Sequence, residues 1–246
     1  MVASPAAMPG PTSSSLVALR QLLADGVAPG RGDEDSVRRQ WWAALATIQE
    51  DFLLPQAAAE GVWLAAPLPA LYEPALLRRL EGWVWAPSEL GDLLQAPAPR
   101  LPGVSAGAGA AAAGGFARLP LQEADGTDPF LLVITPRFQV ALALTGEPQA
   151  RQLLVRFDPA TLSAALTRLD ERLQASDPAQ GQRLRQALRR LGTLQNDEQL
   201  AGRFWPLLAE RLAAMAPSLT LQPLVHRSAG AEAGASAAAA PSSELA

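Results

Sequence analysis

Cysteine and lysine are both absent from the 246 residues, and histidine occurs once, at position 226. Without cysteine there are no disulfides, no thiolate metal ligands and no cysteine nucleophile, and a reducing, cytoplasmic setting is the expectation. Without lysine, every positive side chain is an arginine. The Gly-rich stretch from Gly103 to Gly115 therefore has no G-x-x-x-x-G-K-[ST] phosphate loop. Charge is sparse too: 18% of residues are charged, the net charge is -4 and the isoelectric point is about 5.1. Such a balance argues against nucleic acid and against a polybasic membrane contact. No apolar run approaches the ~20 residues of a transmembrane helix; the long uncharged stretch from Leu101 to Ala117 is mostly Ala and Gly. The first fifteen residues lack the basic start and apolar centre of a secretory signal, which points away from export by that route.

What is abundant is aliphatic and small: 49% of the chain is hydrophobic, and proline and glycine number 22 and 19. One good-sized core fits this length, flanked by low-complexity segments. Three segments lack hydrophobic periodicity: a lead over 1–15, a Pro/Ala/Gly loop over 96–115 and a tail over 228–246. They frame one expected domain over 16–227.

Its first half reads as a helix near Leu16 to Ala24, then a second helix opened by Asp33, Glu34 and Asp35, with Val37, Trp41, Leu45, Ile48 and Phe52 as its buried stripe. A strand at Val62 to Ala66, a short helix opened by Glu73-Pro74 and a strand at Trp83 to Trp85 make a βαβ-like unit with parallel strands. Pro87 opens a further helix towards Leu94. In the second half, apolar runs at Phe130 to Thr135, Phe138 to Leu144 and Gln152 to Phe157 are joined by connections short enough to force antiparallel pairing. Asp158-Pro159 and Asp177-Pro178 each combine an N-cap with a first-turn proline. The first opens a helix striped by Leu162, Leu166, Leu169 and Leu173; the second opens one that Gly192 closes. A last helix from about Asp197 to Met215 is expected to kink or break at Pro206, before a strand at Leu219 to Val225. The fold class is α/β, mixed with α+β character: one mixed sheet flanked by helices.

Catalytic signatures are thin. Gly103-Val104-Ser105-Ala106-Gly107 fits G-x-S-x-G with His226 downstream, but a nucleophile elbow needs a strand before the serine and a helix after it. Prolines precede here and an Ala/Gly tract follows, so coincidence among small residues is the better account of Ser105. His226 has no partner at a metal-ligand spacing. Glu123, Asp125 and Asp128 lack the ligand spacing of an EF-hand and read as a turn before a strand. The arginines at 183, 185, 189 and 190 read as a solvated helix face. No catalytic residue, metal ligand or cofactor is assigned.

Six tryptophans carry most of the remaining information. Alternation sets Trp83 and Trp85 on one strand face; aromatic residues at such spacing usually build core, and Trp63, Trp83 and Trp85 with Phe138 are the candidate ligand-facing set. Trp42 falls at the edge of its helix's stripe and is the candidate partner contact.

A resemblance rests on longer motifs. Leu119-Pro120-Leu121, Asp125, Pro129-Phe130-Leu131-Leu132-Val133-Ile134, Phe138 to Leu144 and Phe157-Asp158-Pro159 resemble the landmarks of the DICT sensory domain. Gly61-Val62-Trp63-Leu64-Ala65 and Gly82-Trp83-Val84-Trp85-Ala86-Pro87 look like the paired strands that precede them. With Arg38-Arg39-Gln40-Trp41-Trp42 and Phe204-Trp205-Pro206-Leu207-Leu208, the chain is similar over about 16–227 to the N-terminal region of cyanobacterial sensor histidine kinases. The H-E-x-R-T-P phospho-acceptor box of such kinases has no match, since Arg227 and Ser228 follow His226. The resemblance implies a non-catalytic input module that binds a small ligand or a partner and acts on a kinase output domain or a response regulator. The alternative is a ligand-free scaffold that dimerises through the helices between Leu162 and Met215; a serine hydrolase built on Ser105 ranks last of the three readings.

Overall fold

In a computed structural model, residues 15–56, 60–88, 116–195 and 197–215 are described. Every element below lies in them. The helix expected towards Leu94, the 96–115 loop, Ser105, the 219–225 strand and His226 fall outside.

Six strands form one mixed sheet in the order β3-β2-β1-β4-β5-β6. They are β1 (Gly61–Ala66), β2 (Leu80–Ala86), β3 (Phe116–Pro120), β4 (Phe130–Ile134), β5 (Gln139–Thr145) and β6 (Gln152–Arg156). The chain goes from β1 to β2 through α3 (Pro74–Arg79), and the two strands are parallel, as the βαβ reading expects. β3, which sequence periodicity does not reveal, adds a third parallel strand at the edge. The second half is the expected antiparallel trio, β4 with β5 and β5 with β6. The halves join through an antiparallel β1–β4 seam.

All six residues of β1 and all five of β4 are buried, so the centre of this sheet has no solvent face. Such strands read as unbroken apolar runs because both faces need cover. One face holds Trp63, Ala65, Val84, Leu131, Val133, Val140 and Leu142 under α2 (Glu34–Ala46), its π-helical continuation (Thr47–Leu53) and α6 (Gln199–Met215). The other holds Val62, Leu64, Trp83, Trp85, Leu132, Ala141 and Ala143 under α1 (Leu16–Ala24), α4 (Pro159–Ser176) and α5 (Pro178–Leu191). The stripe Val37, Trp41, Leu45, Ile48 and Phe52 is buried throughout, although its last two members lie in the π-helical segment.

Helix ends follow the cap chemistry. Asp33, Asp158 and Asp177 accept the backbone N–H of Ser36 (2.7 Å), Thr161 (2.8 Å) and Gln180 (3.2 Å). Gly192, at φ 82°, ends α5. The break expected at Pro206 does not occur: α6 is continuous from Gln199 to Met215. A proline ring crowds the carbonyl four residues earlier. That position is the exposed Gly202, and Pro206 is itself exposed, so the lost hydrogen bond falls on the wet side of the helix.

The acidic turn after β3 is a structural hub. Asp125 is fully buried, and its carboxylate accepts from Leu16 N (3.1 Å), Gln122 N (2.8 Å) and Arg172 Nη2 (2.5 Å). Its carbonyl accepts from Arg20 Nη1 at 2.7 Å. One residue thus fastens α1, the β3–β4 connection and α4. Burial pushes the Arg20 guanidinium below its usual range, against the pull of Asp128 and Asp125. Asp128 pairs with Arg151 at 2.6 Å, and Arg151 reaches Glu34 at 2.9 Å, which ties the start of α2 to β6. These carboxylates therefore serve as anchors for arginines.

Removing one charge of a buried pair leaves the other uncompensated. Asp125→Asn is expected to lower unfolding stability by about 3 kcal/mol, read as a lower urea midpoint at unchanged slope. A loss below about 1 kcal/mol would mean that the carboxylate charge is not what holds this junction.

Candidate functional site

The candidate aromatic residues do not come together. Trp63 lies on the α2/α6 face, whereas Trp83 and Trp85 share the α1/α4/α5 face, and all three are buried. Register is the cause: Trp63 is opposite Gly82, so Trp83 is opposite Leu64 and carries that strand parity to the other side. Each indole is committed to packing. Trp63 lies across Gly82, where an added Cβ would be 2.4 Å from its ring, and meets Phe116 edge-on at 5.3 Å. Trp83 donates its ring N–H to Gln180 Oε1 (3.0 Å) beneath Arg183, and Trp85 packs against Phe130 and Arg172. Trp42 is 52% exposed on α2.

Phe138 stands apart from these three because it borders an open cleft of about 470 Å³, within the usual range for small-molecule sites. Thr135, Pro136, Arg137, Phe138 and Gln139 form one wall; Gln195, Asp197, Leu200 and Arg203 form the other. The first wall is the β4–β5 turn, closed by Thr135, whose Oγ accepts from Phe138 N at 2.9 Å. The second is the α5–α6 link and the first turn of α6. Gln139 clamps the walls together: its side chain donates to Gln195 O and accepts from Gln195 N (3.2 Å). Asp197 caps α6 by accepting from Gln199 N (3.0 Å), and its second oxygen pairs with Arg203 at 2.8 Å. Beneath, Phe138 stacks on Phe52 at 4.8 Å, and Phe52 meets Phe204 at 6.0 Å, so the floor continues into α6.

Two other cavities differ in character. One of about 190 Å³ lies beside Glu60, Arg79, Glu81 and Arg190, where Glu81 already holds Arg183 and Arg190, and Arg79 donates to Gln56 O and Leu53 O. The other, about 230 Å³, is a groove of Leu153, Leu208, Ala209 and Leu212 beside Gln40 and Trp205, an indole 47% exposed. Among the described residues no group of three His, Cys, Asp or Glu side chains is placed to hold a metal ion. Nor is any described helix long and apolar enough to cross a membrane.

Sequence reasoning found Phe138 and missed Arg137, Gln139, Gln195 and Arg203. The Thr135-Pro136 turn signal already implied an exposed residue at 137. That the link before α6 lies against this turn is a long-range contact with no local signature.

The fold and cleft together define an α/β domain with a mixed sheet covered on both sides and a polar cleft at one sheet end. The chain belongs to the family described as a domain of unknown function, DUF8628, whose model matches residues 17–217. No curated protein and no solved structure matches it.

Gly82→Ala tests the packing of Trp63. An overpacked core costs about 1–3 kcal/mol, so a lower melting temperature and altered tryptophan emission are expected. Unchanged stability would show that Trp63 and Phe116, whose Cβ is 2.5 Å from the added one, both have room to move.

Proposed function

We propose that this domain is a non-catalytic regulatory input module of a signalling protein, in which a small molecule in the Phe138 cleft biases the position of α6. One observation carries the reading: the cleft has α6 as a wall, and its floor is shared with that helix through Phe52 and Phe204. A ligand filling the cleft touches the β4–β5 turn and the start of α6 at once, so its binding energy differs between arrangements of that helix. The DICT-like landmarks support a sensory role; those at the end of β4, the start of β5 and the start of α4 lie beside this cleft, and others lie on β3 and at Asp125. Under this reading the partner is a kinase output domain or a response regulator, and Trp42 with the groove at Trp205 offers apolar surface for it. The setting is cytoplasmic, in keeping with the cysteine-free composition.

A thermal-shift screen of metabolites on the full chain tests the proposal, with Gln195→Trp as control. Residue 195 is exposed and is held through its backbone, so the new indole plugs the cleft while sparing the core. At least one compound is expected to stabilise the native chain and not the plugged variant. A screen whose hits all stabilise both forms equally, or that yields none, would contradict the reading. A mass that doubles with concentration in the same samples would transfer the role to the dimerising scaffold.

A further inference from the structure

We propose that the cleft selects a small organic anion whose carboxylate or phosphate group is held between Arg137 and Arg203. The proposal rests on the ligand-binding reading above and adds the chemistry of the ligand.

The arginines of this molecule that reach inwards each have a protein partner, although Arg20 keeps Nε and Nη2 buried and unpaired. Arg20 and Arg172 are held at Asp125, Arg151 at Asp128, and Arg156 at the carbonyls of Leu23 and Asp25. Arg137 is different. It stands exposed at the apex of the Pro136-Arg137 turn, on the cleft wall, and its guanidinium has no ion-pair or hydrogen-bond partner among the described residues. Opposite it, Arg203 uses one nitrogen, Nη2, on Asp197 Oδ2. A guanidinium carries five N–H donors, so the other donors of Arg203 remain for a ligand.

Charge in the cleft runs against charge in the whole. Its walls carry two guanidinium groups and one carboxylate, on a chain of net charge -4. That carboxylate, Asp197, is occupied on both oxygens, one by Gln199 N and the other by Arg203. Leu200 and Arg203 come from the first turns of α6, a helix of 17 residues whose N-terminal end adds positive potential at the cleft. Two neutral polar groups are already spent, Gln139 on Gln195 and Thr135 on Phe138, which leaves the side-chain amide of Gln195 as the neutral group on the walls. The charged donors for a head group are the arginines, which match the planar carboxylate and the phosphate alike. The ring of Phe138 and the side chain of Leu200 offer apolar surface for the carbon skeleton.

Titration calorimetry and thermal melting of the full chain with inorganic phosphate and with succinate, each against sodium chloride at equal ionic strength, test this. One of the two is expected to bind and stabilise beyond chloride, and which one identifies the head group. Affinity should fall about tenfold in Arg137→Gln and in Arg203→Gln, and stay unchanged in Arg185→Gln, whose residue pairs with Asp170 on the surface. Arg137 is exposed and makes no side-chain contact that folding needs, so its variant keeps the test valid if Arg203→Gln misfolds. Both anions behaving like chloride, or binding undiminished in Arg137→Gln, would overturn the proposal. If neutral compounds bind the native chain but not Gln195→Trp while both anions stay silent, the anion assignment fails and the ligand-binding reading stands.

Discussion

The rest of this structure depends on one constraint: the central strands are apolar on both faces. With β1 and β4 buried at every position, a single helical layer would leave one face in water. At ~25 cal/mol per Å² of exposed apolar surface, that arrangement is not viable. Helices must therefore cover both sides, and the chain divides them by position. The α1, α4 and α5 helices cover the face of Trp83 and Trp85, whereas α2 and α6 cover the face of Trp63. Asp125 and Arg151 are consequences of that division. Each ties a helix or its lead-in to connections at the sheet's rim, where hydrophobic packing alone has no direction.

Much of this was legible in the sequence, because local signals are strong here. Asp-Pro pairs marked the starts of α4 and α5, Gly192 the end of α5, and the runs from Phe130 to Phe157 three antiparallel strands. β3 was not legible: it is five residues long, at an edge, with exposed Arg118 and Pro120 interrupting its apolar pattern. The sides taken by the tryptophans were only half legible. Alternation correctly placed Trp83 with Trp85, but the relation of Trp63 to them depends on the β1–β2 register, and a shift of one residue would reverse it.

The cleft shows the same limit more sharply. Phe138 announces itself as an aromatic residue at the start of a strand, but Arg203 joins it only because the α5–α6 link crosses the β4–β5 turn and is fixed there by Gln139. This placement sets the cleft at the amino-terminal end of the parallel strands, where Gly61 begins β1 opposite Ile134 and Thr135. Ligands of open α/β sheets commonly bind at the opposite, carboxyl end. There this chain has the Asp125 hub, whose carboxylate is taken up by Arg172 and by two backbone N–H groups. Two buried donors of Arg20, Nε and Nη2, go unpaired at that hub, whereas the cleft at the α6 end is open and lined by Arg137 and Arg203, and α6 is the element that ties the cleft to the aromatic floor.

The central claim is that occupancy of the cleft is transmitted to α6. The absence of cysteine permits a direct measurement, since Glu171→Cys on α4 and Glu210→Cys on α6 introduce the only thiols, at exposed positions. Spin labels there report the α4–α6 distance by pulsed dipolar spectroscopy, before and after addition of the dialysable small-molecule fraction of the protein's own cells. The account predicts a changed or narrowed distance distribution, abolished when Gln195→Trp plugs the cleft. Identical distributions with and without that fraction, together with proven binding in the cleft, would contradict it.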